Sequence, residues 1–173
     1  EQHQLLRDRG VQLIHPPYAL TGVDLPVLGA EVTRIFAAPA LKTVLDVGGN
    51  DAGAAALGVY KQHFDQQSAD MYYVVNLFRP FSETREQIIE LLQRIERRAR
   101  MKPAGLINNA NLGDWTDIDQ IIEGQRVLED VSKALDLPIV AITGKQDVLK
   151  RLPQMDATLY PIERLLKPEW MEN

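Results

Sequence analysis

Thr43-Val44-Leu45-Asp46-Val47-Gly48-Gly49-Asn50-Asp51 is the stretch on which the fold turns. A β-branched and aliphatic run ends in an acid, then in two glycines, then in two turn formers. The spacing predicts a short buried strand over residues 43–47 that delivers Asp46 to a loop of bare backbone. In open α/β sheets, ligand chemistry sits outside the carboxyl ends of the strands. Asp46 is therefore the first candidate for a functional carboxylate.

Outward from this stretch, strands and helices alternate. Upstream, Val11-Gln12-Leu13-Ile14 reads as a strand closed by His15-Pro16-Pro17. Leu25, Leu28, Val32, Ile35 and Phe36 then recur at helical spacing, with Asp24 as N-cap and Pro26 in the first turn. Downstream, the small residues Ala54, Ala55 and Ala56 predict a helix lying close against a sheet, with His63 at its exposed end. Met71-Tyr72-Tyr73-Val74-Val75 is the next strand and leads to Asn76. Ser82 is placed to cap a helix whose buried side is Ile88, Leu91, Leu92, Ile95 and Ala99. Gly105-Leu106-Ile107 forms a short strand ending at Asn108-Asn109, and a helix with Ile118, Ile121, Ile122, Leu128, Val131 and Leu135 on one side follows. Residues 137–142 give the last strand, which opens into the polar turn Thr143-Gly144-Lys145-Gln146-Asp147, with Asp147 as the next cap. One more short helix is expected around Ile162 to Leu166.

Regular alternation of this kind predicts an α/β three-layer sandwich, a mainly parallel sheet covered by helices on both faces. At 173 residues and without a linker, the whole chain 1–173 reads as a single domain. The net charge of −5 and pI near 5.2 argue against binding nucleic acid or anionic membrane. There is no cysteine, which excludes thiolate catalysis and suits a cytoplasmic protein. No apolar run reaches membrane-span length. The histidines, His3, His15 and His63, lack metal-ligand spacing.

Parallel strands share one carboxyl edge, and four predicted strand ends carry polar residues: Asp46, Asn76, Asn108 with Asn109, and Thr143 with Lys145. Asp46 suits a Mg²⁺ site, since that ion keeps several waters and takes few carboxylates beside phosphate oxygens. Gly48 and Gly49 offer bare N–H groups to a terminal phosphate. An asparagine amide has both a donor and an acceptor, so Asn109 can match the N6/N7 edge of adenine. Asp51 is placed to activate water near a terminal phosphate.

With these residues in view, the chain resembles the deviant P-loop ATPases that include the MinD and ParA proteins and the nitrogenase iron protein. Asp46-Val47-Gly48-Gly49 is similar to the Asp-x-x-Gly-like switch of that group. Gly105-Leu106-Ile107-Asn108-Asn109 resembles its adenine-contacting strand end, with Asn109 the better match, and Gly144-Lys145-Gln146-Asp147 resembles the loop beside the base, without its usual proline. The resemblance implies a P-loop NTPase topology of Rossmann-like type, ATP and Mg²⁺ as ligands, hydrolysis by positioning and electrostatics, and face-to-face homodimers. It assigns Asp46 and Asp51 to catalysis, Asp46 to the metal, and Gly48, Gly49, Asn108, Asn109, Gly144 and Lys145 to the nucleotide. No G-x-x-x-x-G-K-[ST] pattern occurs in the sequence. In the family that loop comes before the segment that starts this chain, so an N-terminal truncation is expected, leaving a sheet edge to a partner.

Two other functions share parts of this pattern. Residues 44–53 also look like the glycine loop that holds S-adenosylmethionine in methyltransferases, although Asn50 and Ala52 replace its usual glycines and Asn76 stands where an acid should bind ribose hydroxyls. A non-catalytic interaction module, using an open sheet edge to pair with a protein partner, accounts for the missing phosphate loop.

Overall fold

The computed structural model describes residues 2–14, 35–38 and 41–163. The chain divides by its internal contacts into two units, one running to Ala69 and adding Arg97–Arg100, the other taking Asp70–Glu96 and everything from Met101 onward.

The second unit holds a four-stranded, all-parallel sheet with helices between its strands, an α/β arrangement. Its strands are β1 (Met71–Val75), β2 (Pro103–Asn108), β3 (Ile139–Gly144) and β4 (Thr158–Pro161), in the spatial order β1-β2-β3-β4. Register pairs Tyr73 with Leu106 and Val75 with Asn108, then Asn108 with Ile142, then Thr143 with Tyr160. Pro103 opens β2, a position where its missing N–H interrupts no ladder. β4 is exposed along its length and was not expected from the sequence, which placed a helix further on.

The helix Arg85–Ala99 has Ile88, Leu92, Ile95 and Ala99 buried at helical spacing, while Leu91 is half-buried. Its cap is Thr84 and not Ser82. The Thr84 hydroxyl accepts from Gln87 N, and the Gln87 carboxamide oxygen accepts from Thr84 N, a reciprocal capping box. The helix Ile118–Leu135 is capped the same way by Asp117 and Gln120, and it ends at Asp136 in the left-handed region. It buries Ile121, Leu128 and Val131, but Ile122 faces solvent. Gly124 is what lets this helix approach the end of β2. A Cβ there would lie 2.4 Å from the Ala110 Cβ and 3.0 Å from Asn108 Oδ1. The short helix Gln146–Leu149 completes a local core of Ile121, Ile142, Val148 and Leu149. Asp147 lies within its first turn and does not cap it; Lys145 occupies the N-cap position.

The first unit contains the helices Gln2–Asp8, Asp51–Val59 and Lys61–Gln67. Gly10 follows the first of them at φ +73°, in the left-handed region that favours glycine after a helix end. Asn50 caps the second through its side-chain oxygen, 2.9 Å from Gly53 N. Tyr60, His63 and Phe64 gather around Phe36, whose ring stacks on His63 at 4.6 Å. His63 is therefore half-buried, not at an exposed end.

Two expected strands are absent from this unit as described. Residues 42–48 are irregular, and Val44 is 94% exposed, so the stretch 43–47 is not a buried strand. Residues 11–14 are irregular too, with Val11 and Leu13 exposed. The physical reason is that β structure is a pairing, not a property of one segment, and neither segment has a ladder partner among the described residues. The expected helix built on Leu25, Leu28 and Val32 lies outside the described residues except for its end at Ile35 and Phe36, which is helical. Among the described residues, no helix is long and apolar enough to cross a membrane.

Candidate functional site

The carboxyl edge of the sheet is where the second unit concentrates its polar chemistry. Three strand exits are cross-linked there by side chains. At the end of β1, Asn76 Oδ1 accepts from Phe78 N at 3.1 Å and from Asn111 N at 3.0 Å, while its Nδ2 donates to Asn111 O at 3.0 Å. This carboxamide joins the β1 exit to the β2 exit.

At the end of β2 the two neighbouring asparagines have different surroundings. Asn108 is fully buried. Its Nδ2 donates to Ile121 O at 3.1 Å and to Gln125 Oε1 at 3.3 Å, and its Oδ1 accepts from Ala110 N at 3.0 Å. Asn109 is half-buried. Its backbone N extends the ladder to Val75 O at 2.8 Å, and its backbone O accepts from Asn111 Nδ2 at 2.7 Å. Its side-chain Oδ1 accepts from Thr143 Oγ1 at 2.6 Å. Among the described residues, Asn109 Nδ2 makes no hydrogen bond.

At the end of β3, Gly144 is buried and its O accepts from Ile162 N at 2.9 Å. A Cβ on Gly144 would stand 3.1 Å from Ile121 Cδ1 and 3.2 Å from Leu149 Cδ2, so the local core leaves little room for a side chain. Lys145 Nζ pairs with Asp114 Oδ1 at 3.0 Å, which ties the β3 exit to the turn Gly113–Trp115. Trp115 on that turn is 84% exposed, and Phe81 in the β1 exit loop is largely exposed at φ +67°. Neither aromatic was singled out by the sequence, because a lone Trp or Phe in a loop has no periodicity to mark it. Below the rim, Arg151 pairs with Asp117. The Ile118 N–H and then Arg151 hold the Asp117 carboxyl below the usual carboxylate range.

The remaining predicted residues belong to the first unit. Asp46 is exposed in the irregular stretch 42–48 and stands outside the sheet. Gly48 and Gly49 are exposed. A Cβ at Gly49 would meet nothing within 4 Å, and one at Gly48 only Asn50 Oδ1 at 3.7 Å. Backbone without side chains is thus exposed at the surface at both positions. Gly53 is different, since a Cβ there would lie 2.3 Å from Gly48 O, so the glycine loop folds tightly over the start of the helix Asp51–Val59. Asp51 is the first residue of that helix. The structure therefore gathers Asn76, Asn108, Asn109, Thr143, Gly144 and Lys145 on one edge of one unit, and places Asp46, Gly48, Gly49 and Asp51 together on a short segment of the other.

Among the described residues, no cluster of three or more His, Cys, Asp or Glu side chains could hold a metal. Asp46 by itself fits a Mg²⁺ ion whose other ligands are waters and phosphate oxygens, and does not fit an ion held by protein alone. A surface concavity of about 400 Å³ is lined by Arg7, Gly10, Val11, Gln12 and Leu13 and includes none of the predicted site residues. Compared with protein-family models, with curated proteins and with solved structures, the chain matches none.

Proposed function

We propose that the protein binds an adenine nucleotide, with the base read by Asn109 at the carboxyl edge of the sheet unit; taken by itself, the Asp46-Val47-Gly48-Gly49 loop of the other unit suits a Mg²⁺-bound phosphate. The observation that carries this reading is the Asn109 carboxamide. It sits at the carboxyl edge of a parallel sheet, half-exposed, with its donor end unspent among the described residues and its acceptor end held by Thr143. An amide oxygen has two lone pairs, so Oδ1 can still accept from the adenine N6 amino group while Nδ2 donates to N7. Gly144 and Lys145 lie at the neighbouring strand exit, with Lys145 held by Asp114. Asn108 supports this edge from beneath, since its own amide is consumed internally.

The finer architecture belongs to the same proposal: a three-layer sandwich of P-loop type, with Asp46 orienting water on Mg²⁺ and Asp51 orienting the water that attacks the terminal phosphate. Such chemistry runs by positioning and charge and needs no covalent intermediate. A methyltransferase is less well supported, because both lone pairs of Asn76 Oδ1 are taken by the Phe78 and Asn111 N–H groups, which leaves no acceptor there for ribose hydroxyl protons.

Titration calorimetry of the intact protein with Mg·ATP tests the proposal. We predict that Asn109→Ala weakens binding by about tenfold, the scale of one lost hydrogen bond plus a desolvated partner. Asp46→Asn should remove most of the dependence on Mg²⁺ and leave binding of adenosine alone unchanged. Wild-type affinity in both variants would reject the assignment.

A further inference from the structure

We propose that Thr143 is a positioning residue that locks the Asn109 carboxamide in one orientation and thereby selects adenine over 6-oxopurines. The proposal rests on the assignment of Asn109 to the base and adds the residue that sets its specificity.

The two ends of an asparagine side chain are nearly the same size and opposite in hydrogen-bonding sense. An asparagine that can flip offers either a donor or an acceptor at a given point. At Asn109 the backbone is fixed on both sides, by the N–H to Val75 and by the C=O from Asn111 Nδ2. What remains is the side-chain torsion, and Thr143 acts on it. The Thr143 Oγ1 to Asn109 Oδ1 distance is 2.6 Å. That is the length of an O–H···O bond, shorter than the roughly 2.9–3.0 Å usual when nitrogen is the donor. The hydroxyl has a second acceptor within reach, Asn108 O, at 3.4 Å. Its single hydrogen goes to the shorter contact, so Thr143 donates to Oδ1. The amide oxygen is thereby committed to one side, and Nδ2 is turned to the other.

This orientation has a consequence for the base. Adenine presents a donor at position 6 beside the N7 acceptor, whereas hypoxanthine and guanine present two acceptors. A locked amide matches the first pattern at both atoms. Against the second it sets Oδ1 opposite O6, and turning the amide over would cost the 2.6 Å O–H···O bond, since the Thr143 hydrogen would have to move to the longer 3.4 Å contact with Asn108 O. Without the Thr143 hydroxyl the amide can turn over and recover one bond to O6, so discrimination falls even where affinity for ATP survives.

Affinities of the intact protein for Mg·ATP and Mg·ITP, measured by titration calorimetry, test this directly. Inosine triphosphate differs from ATP only at position 6 and the adjacent N1 proton. We expect wild type and Thr143→Ser to favour ATP by about tenfold or more, and Thr143→Val and Thr143→Ala to favour it by only about two- to threefold. The ratio is insensitive to any unfolded fraction, because both ligands sample the same preparation, and the serine variant separates loss of the hydroxyl from loss of packing. An unchanged ratio in Thr143→Val and Thr143→Ala would overturn the role of Thr143 while leaving ATP binding in place, as would a wild-type protein that binds ATP and ITP equally. Absence of binding by either nucleotide would overturn the base assignment itself, and this inference with it.

Discussion

Asn108 and Asn109 are adjacent, chemically identical and oppositely employed. The side chain of Asn108 is sealed among Ile121, Gln125 and Ala110, with its amide oxygen and nitrogen both bonded. That of Asn109 faces the rim with one end held. Strand alternation is the cause, since successive side chains leave a strand on opposite faces. It follows that the two residues should fail differently when truncated. Asn108→Ala leaves the Ala110 N–H and the Ile121 carbonyl without their side-chain partner, and should cost about 2–3 kcal/mol of stability by urea denaturation. Asn109→Ala should cost far less stability than this. Equal losses for the two variants would contradict the division of labour between them.

At the level of elements, β1 shows how the sheet constrains chemistry. Tyr73 and Val75 are buried while Tyr72 and Val74 are exposed, so only one face of this strand is covered. Burial pushes the Tyr73 hydroxyl from 10.0 up to about 12, against a smaller opposing influence of Arg94. The folded pKa lies above the unfolded one, so the folded state holds its proton longer. The stability this represents is intact below about pH 10 and is lost as pH rises toward 12. Urea denaturation at about pH 9, 10 and 11 should therefore show wild-type stability falling faster than that of Tyr73→Phe, by up to about 1.4 kcal/mol per pH unit. Parallel slopes for the two proteins would show that the phenol is not buried in this way.

The same scale shows what the sequence could and could not reveal. The strand Met71–Val75 and the helices Arg85–Ala99 and Ile118–Leu135 were legible because β-branched runs and apolar spacing are local properties. Caps were harder. Ser82 and Asp147 have the right chemistry, yet Thr84 and Lys145 hold the positions, because which cap residue is used depends on how the incoming loop turns. The stretch 43–47 misled for a deeper reason. Its residues favour a strand, but pairing requires a neighbour, and no local feature supplies one. Within the site, a run of asparagines marked the β2 exit, whereas the Thr143 to Asn109 and Lys145 to Asp114 links join residues more than thirty positions apart and leave no local trace.

For the molecule as a whole, the chemistry falls into two separate groups. The sheet unit carries a rim of interlocked polar side chains, and the other unit carries a short acidic glycine loop. The overall charge of −5 suits neither nucleic acid nor anionic membrane as a non-specific partner, whereas a bound divalent ion offsets the charge of a nucleotide's phosphates. On the proposed reading, the rim of the sheet unit reads the base, and the glycine loop of the other unit, taken by itself, is suited to a metal-bound phosphate. The most direct measurement is the side-chain amide spectrum of the isotopically labelled intact protein during titration with Mg·ATP, assigned with the Asn109→Ala and Asn108→Ala variants. The Asn109 Nδ2 resonances should move and saturate with nucleotide while those of Asn108 stay nearly still. An Asn109 amide that remains unmoved at saturating ATP would contradict the account.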